Sequence, residues 1–301
     1  MNPDSRKILL IFNPYAAHGR AARLLPEIET YFGQKNMTVE TRLTRYRQHA
    51  VEIVAGADFS KYDALAAAGG DGTLFEIVNG YFQNTNQKRL PIGVLPLGTG
   101  NSFAKDLNLE AHQWREGIDL IHLNRPAPVD VARCKMDEDE FYFINILGLG
   151  FVTAVQEISD KLKAIGNSAY LLGVLLKTFF LKTSSVQLEL DGRIIDENIS
   201  LMEISNTRYT GRNFLMAPAA KFNDGLLDVT VGKSMSRLRL LWLFPKIFSG
   251  THVNAKEVEV FKAKRIRIRS AEVMKLGPDG EIHGSTPVQI ECLPGALQVF
   301  V

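Results

Sequence analysis

The sequence predicts an α/β protein built as two domains: an N-terminal parallel-sheet domain and a C-terminal, mostly antiparallel β-sandwich domain. Three observations predict it. Up to about Arg125, apolar strand-like runs alternate with segments of helical period, the pattern of a parallel sheet covered by helices. After that point the chain breaks into many short strand candidates separated by turn residues, the pattern of packed antiparallel sheets. A chain of 301 residues is also too long for one small core. The boundary falls at Pro126, giving domains 1–126 and 127–301, with the last strand either remaining in the second domain or returning to the first.

The elements follow in order. Residues 7–12 form a continuous apolar strand ended at Asn13-Pro14, because proline does not continue a ladder. Residues 20–32 place Leu24, Leu25, Ile28, Tyr31 and Phe32 at helical spacing. Residues 39–44 read as strand, 49–57 as helix and 62–68 as a short apolar strand. Then "GGDGT" (69–73) turns the chain into a helix with Leu74, Ile77, Val78, Tyr81 and Phe82 on one face. Residues 90–97 give another strand, which runs into "GTGNSFAKDL". Beyond Pro126, "PAPVDVARC", "EFYFINILG", "SVQLELDG", "IIDENISLMEIS", "LLDVTVG", "VEVFKA", "RIRIRS" and "PVQIEC" are strand candidates. Helical stretches at 151–181 and 236–248 interrupt them, and "MDEDE" (136–140) reads as a solvated hairpin loop.

Composition narrows the function. A net charge of +2 from 35 basic and 33 acidic residues gives no electrostatic case for nucleic acid as partner. Cys134 and Cys292 lie far apart without metal-ligand spacing, which fits a reducing, cytoplasmic setting. The N-terminal apolar run is too short for a signal peptide. The most apolar stretch, 169–181, is shorter than the ~20 residues a bilayer needs and contains Lys177.

Familiar phosphate motifs fail. Phe75 and Thr153 break the two near-matches to G-x-G-x-x-G, and Leu227 stands where a P-loop before "GKS" needs glycine. Two glycine-rich turns nevertheless occupy the same place in successive strand–helix units: "GGDGT" and "PLGTGN" (96–101). Both fall at the carboxyl ends of parallel strands, where open α/β sheets bind ligands. Glycine lets backbone N–H groups approach an anion, and the next helix adds its positive end. Asp71 would repel phosphate unless a cation lies between them, and Mg²⁺ resolves that conflict. The competing reading is a plain tight turn in which Thr73 and Glu76, as T-x-x-E, form a capping box.

Together with "FNP" after the first strand, "GGDGT…EIVNG" and "LPLGTGN" resemble the diacylglycerol kinase catalytic-domain family of bacterial lipid kinases, sphingosine kinases and ceramide kinases. The resemblance continues through "NTRYTGRNFLMAPAAKFNDGLLDVTV" (206–231) and "GPDGE" (277–281). It implies a nucleotide-binding first domain and ATP- and Mg²⁺-dependent phosphorylation of a lipid hydroxyl. Carried over by position, Asn13, Thr44, Gly70, Asp71, Gly72, Thr73, Leu74, Phe75, Glu76, Gly98, Thr99 and Asn101 would bind ATP. Asp71 and Asp130 would sit on the catalytic metal's hydration network, and Glu281 would be the general base. Lys221 and Leu226 through their carbonyls, and Asp224 through its carboxylate, would hold a structural Mg²⁺. On residues alone "PDG" before Glu281 is an ordinary hairpin turn.

Many bacterial members carry Asn in place of Phe75 and Asp in place of Ser102. The expected partner is a lipid at a membrane surface, with a homodimer compatible with the sequence. Residues 169–181, with Phe179 and Phe180, read as acyl-chain cover, membrane contact or buried helix. "LLWLFPKIF" (240–248), with Arg237, Arg239 and Lys246 as headgroup contacts, reads likewise as acyl-chain cover, membrane contact or buried helix. "KAKRIRIRS" reads as a half-buried strand with a solvated or edge-protecting basic face. The rival functions are a kinase of a soluble substrate, since NAD kinases share a GGDG turn, and a non-catalytic nucleotide or lipid sensor.

Overall fold

The computed structural model describes residues 5–137, 139–155, 178, 181–211 and 213–301. The chain forms two compact units, Met1–Val129 with Gly295–Val301, and Asp130–Pro294.

In the first unit β1 (Arg6–Phe12) is followed by a 3-10 turn (Arg20–Leu24), α1 (Leu25–Gln34), β2 (Met37–Leu43) and α2 (His49–Ala55). A 3-10 turn (Phe59–Lys61), β3 (Ala64–Gly69), α3 (Asp71–Gln83), β4 (Ile92–Pro96), α4 (Ser102–Asp106) and α5 (Trp114–Leu123) complete the alternation. The strands are parallel in the order β2-β1-β3-β4, with Ile8 opposite both Val39 and Ala64, and Leu65 opposite Ile92. Every residue of β3 is buried, as expected of a strand covered on both faces. One core gathers Ile8, Leu10, Phe12, Ala66 and Leu95 with Ile28 and Phe32 of α1 and Trp114, Ile118 and Ile121 of α5. Phe300, from the far end of the chain, belongs to the same core, and Val299 pairs in parallel with Ile92.

The expected helix at 20–32 is divided because Pro26 opens α1 as its second residue, where a missing N–H costs nothing. No helix was read at 114–123, although Trp114, Ile118 and Ile121 recur at i, i+4 and i+7.

The second unit begins within β5 (Pro126–Lys135), which forms a hairpin with β6 (Glu140–Phe143). It continues with β7 (Ile146–Gly150), β8 (Ser184–Leu190) and β9 (Arg193–Ser205). Next come the short β10 (Tyr209–Thr210) and β11 (Phe214–Leu215), then β12 (Leu227–Lys233) and α6 (Arg237–Leu243). Two 3-10 turns precede β13 (Val258–Ala263), β14 (Arg265–Ser270), β15 (Leu276–Pro278) and β16 (Val288–Phe300). The β5–β6, β7–β9, β7–β15, β8–β9, β8–β14, β9–β12, β12–β13 and β14–β16 pairs are antiparallel. The long β9 pairs with β12 on one side; on the other its first half pairs with β8 and its second half with β7. Asp191 and Gly192, both at positive φ, close the β8–β9 hairpin, the Asp-Gly pair that a two-residue turn favours.

Two expectations are corrected, and a third falls outside the described residues. The helix at 236–248 gives way to 3-10 turns after Leu243, because Pro245 has no N–H to continue an α-helix. β14, read as edge-protecting, is an interior strand between β8 and β16, with Arg267 paired to Glu189 at 3.0 Å. Apart from residues 151–155, Thr178 and Leu181, the stretch 151–181 lies outside the described residues, including the acyl-chain reading of Phe179 and Phe180. Among the described residues no helix is long and apolar enough to cross a membrane.

One buried acid stands out. Glu203 of β9 is 1% exposed, and one of its carboxyl oxygens accepts hydroxyl hydrogen bonds from Thr210 and Ser205. Its other oxygen has no hydrogen-bond partner. Burial pushes its carboxyl up to about 7, the two hydroxyls acting weakly the other way.

Candidate functional site

In the first unit the two glycine turns interlock. Gly70 precedes α3 in extended conformation, and a Cβ on Gly98 would stand 2.4 Å from the Cα of Gly70. The carbonyl of Gly69 accepts the N–H groups of Leu97 (2.9 Å) and Gly98 (3.0 Å). Asn101, at φ 51°, closes the second turn on itself: its Oδ1 accepts the Gly98 N–H at 3.0 Å and its Nδ2 donates to the Gly98 carbonyl at 2.7 Å. The glycines at 70 and 98 are therefore required by the approach of two backbones. The hollow between the turns, lined by Gly70, Asp71, Leu74, Asn101 and Phe103, holds about 10 Å³. That is the room of one water, so a nucleotide would lie over the turns.

Asp71 answers its own puzzle in part. Its Oδ1 accepts the Ser102 N–H at 2.7 Å, its Oδ2 accepts the Ser102 hydroxyl at 3.0 Å, and the Phe103 amide also donates to it. The acid of the first turn thus caps α4, the helix after the second turn. The residue is half-buried with its carboxylate as the enclosed part. Burial pushes that carboxyl up to about 6, against the lowering effect of these three hydrogen bonds.

The capping box did not form. Glu76 instead accepts the N–H groups of Gln48 (2.8 Å) and Ala50 (3.1 Å), capping α2, while no side chain caps α3. Thr73 accepts a hydrogen bond from Asn13 Nδ2 at 2.9 Å, and Asn13 Oδ1 receives the Tyr15 N–H at 2.9 Å. Asn13, Gly70, Thr73 and Asn101 are thereby brought to the carboxyl ends of β1, β3 and β4, while Thr44 follows β2 with its N–H on Phe12 O at 2.9 Å. Thr99 is exposed and Gly72 half-buried, whereas Leu74 and Phe75 are buried and offer a ligand only their backbone. One segment was missed: Ala17, His18 and Gly19 are successive residues at positive φ in the loop after β1. Strain of that kind concentrates at ligand clamps, and only Gly19 hinted at it in the sequence.

In the second unit a polar network ties Asp130, the 221–226 loop and the turn before Glu281 together. Asp130 Oδ2 accepts the Gly225 N–H at 2.6 Å, and its own N–H donates to Phe222 O at 2.7 Å. Asn206 Nδ2 donates to the carbonyls of both Asp130 and Ile144 at 2.8 Å. Asp279 accepts three backbone N–H groups, from Ile144 (3.1 Å), Asn145 (3.0 Å) and Ile146 (2.9 Å). That anchor fixes the turn through Gly280, at φ 86°, from which half-buried Glu281 projects. Asn145, Asn206 and Asp279 were absent from the expected site residues. Asn145 Nδ2 and Asn206 Oδ1 are buried without hydrogen-bond partners, a donor and an acceptor available to water or ligand.

Neither expected metal position fits a protein-bound Mg²⁺ as it stands. Asp71 already accepts three donors on its two oxygens. Asp224 Oδ2 pairs with Lys262 at 2.7 Å and Oδ1 accepts the Leu226 N–H at 3.2 Å, so the ammonium stands where a cation is called for. Lys262 also approaches Asp228 at 3.2 Å, whose carboxyl is raised by burial and held back by that lysine. The side chain of Lys221 is exposed, leaving its carbonyl and that of Leu226 as the other oxygens of this loop. Among the described residues no three His, Cys, Asp or Glu side chains converge as metal ligands.

Comparison with known proteins adds kinship to this geometry. Residues 7–134 match the diacylglycerol kinase catalytic domain, and 145–301 match the YegS C-terminal NAD kinase beta sandwich-like domain. A diacylglycerol kinase of Mycobacterium tuberculosis is 29% identical over 297 residues, covering 98% of this chain and 94% of its own. Sphingosine kinase 1 of Arabidopsis thaliana is 29% identical over 86% of this chain and 63% of its own length. A Bacillus anthracis crystal structure, provisionally assigned as a diacylglycerol kinase, superposes with a TM-score of 0.79 at 28% identity, covering 99% of this chain and 97% of that one. With both domain matches in sequence order over nearly the whole chain, the protein belongs to the diacylglycerol kinase catalytic-domain family of kinases.

Proposed function

We propose that the protein transfers the terminal phosphoryl group of ATP, taken up as its Mg²⁺ complex, to a hydroxyl of diacylglycerol or a related lipid. The observation that carries this reading is the interlocked pair of glycine turns at the carboxyl ends of β3 and β4, with the N-terminus of α3 beside them. The first N–H groups of a helix have no intrahelical acceptor and suit phosphate oxygens. The buried cap made by Asp71 fixes the second turn, so the donors are held before the nucleotide arrives. In the reaction the lipid oxygen bonds to the terminal phosphorus, the bond from that phosphorus to the bridging oxygen breaks, and ADP leaves. Glu281 is the acceptor for the hydroxyl proton. Bound to the phosphates as part of the substrate, Mg²⁺ would supply positive charge against theirs.

A second reading, a kinase of a soluble substrate, draws on the NAD kinase-like kinship of residues 145–301. Labelled ATP with a panel of lipids in mixed micelles, and with soluble alcohols without lipid, separates the two. Phosphorylated lipid is expected only with the lipid panel, and Glu281→Ala is expected to lower its formation 10²–10⁴-fold with ATP binding retained. Equal rates on soluble substrates without lipid would sink the lipid reading. Wild type and Glu281→Ala equally inactive, with ATP still bound, would leave a sensor.

A further inference from the structure

We propose that α6 and the 3-10 turns after it, Phe244–Ser249, form the face by which the protein docks on an anionic lipid bilayer. The inference gives the lipid-kinase reading a place of contact and rests on that reading only for its purpose. Leu240 and Leu243 bury the inner side of α6. Leu238 and Trp242, four residues apart and hence on one helical face, point outward at 80% and 52% exposure, and Phe248 adds a third apolar side chain at 51%. Such side chains gathered within one short stretch are unusual on a surface that meets only water. Phe248 is itself held in a cluster with Phe214 and Phe244, whose ring centroids lie 5.0–6.0 Å apart.

Charge selects the occupant. Lys246 lies 3.5 Å and the Arg239 guanidinium 4.4 Å from the centre of the Trp242 ring. Arg239 also pairs with Glu257 at 2.8 Å. Arg237 and Lys246 have no carboxylate partner among the described residues. Tryptophan flanked by cations beside exposed leucine and phenylalanine suits the headgroup layer, with rings at the acyl boundary and ammonium and guanidinium groups on phosphate. A second copy is the poorer occupant, because a symmetric contact would set the same cations against one another.

Trp242 itself reports the contact, since the protein's other tryptophan, Trp114, is buried in the first unit. The full chain is mixed with vesicles of brominated phosphatidylglycerol containing neither diacylglycerol nor ATP, so the outcome is independent of any kinase activity. Quenching of Trp242 emission is expected with these vesicles and not with brominated phosphatidylcholine. Lys246→Gln should weaken binding about fivefold, the weight of one basic residue at an anionic surface. Leu238→Glu alone, at a side chain 80% exposed, keeps the probe and the unfolding temperature and should weaken binding several-fold; adding Phe248→Glu should bring the loss to at least about tenfold. No quenching, equal quenching by phosphatidylcholine, or vesicle binding that leaves Trp242 unquenched would each overturn the proposal. A concentration-dependent dimer that the double variant dissolves would overturn it in favour of a second copy.

Discussion

Asp71 shows how one side chain can be misjudged from its neighbours in sequence. An acid among glycines reads as a partner for metal and phosphate, yet its oxygens are turned inward onto Ser102 and Phe103. Ser102 gains a role in the process: its hydroxyl is one of the donors that make a buried carboxylate tolerable. Asp71→Asn would set an amide N–H against those donors. It should cost about 1–2 kcal/mol of stability through loss of the cap and lower phosphoryl transfer at least tenfold. Thermal unfolding and turnover measured side by side check this, and a variant with wild-type values for both refutes it. The acid was legible in the sequence. Its donors, 31 residues further on, were not, because nothing local marks a cap supplied by another turn.

At the scale of elements, the strand–helix alternation could be read because β3 and β4 are buried along their whole length and the helices keep a buried stripe, while the outer β2 is mixed in character. What escaped was contact between elements. Glu76 was assigned to its own helix and belongs to the start of α2. The glycines of the two turns were assigned to a ligand, and two of them are needed for the turns to touch each other. Gly98→Ala is therefore expected to cost about 1–3 kcal/mol, as overpacking does, because the atom it strikes is the Gly70 backbone and not a side chain that can swing away. Urea unfolding gives the stability, and weakened nucleotide binding should accompany the loss. An alanine variant as stable as wild type would mean that the turns can separate freely. In the second unit Asp224 was placed from the likeness of its motif. Nothing in "NDGLLD" announced that Lys262, from the neighbouring β13, would occupy its carboxylate.

For the molecule as a whole, buried acids set the pH response. Folded Glu203 keeps its proton up to about pH 7, against an ordinary value of 4.5. Between those values the folded state binds the extra proton, so stability falls as pH rises through the window. Asp71 acts in the same direction between 3.8 and about 6. Glu203→Gln should accordingly be more stable than wild type at pH 8, by on the order of 1–3 kcal/mol, and lose that advantage at pH 4. Melting curves at the two pH values test it, and an offset that does not change with pH refutes it.

The placing of Phe300 has a consequence for synthesis. The first unit draws its closing core residue, and Val299 beside Ile92, from the end of the chain. A domain written almost wholly in the first 129 residues thus waits for the last few before its core is complete. The usual order of synthesis, in which an N-terminal domain folds before the next is made, stays unfinished here until Val299 and Phe300 have been made as well.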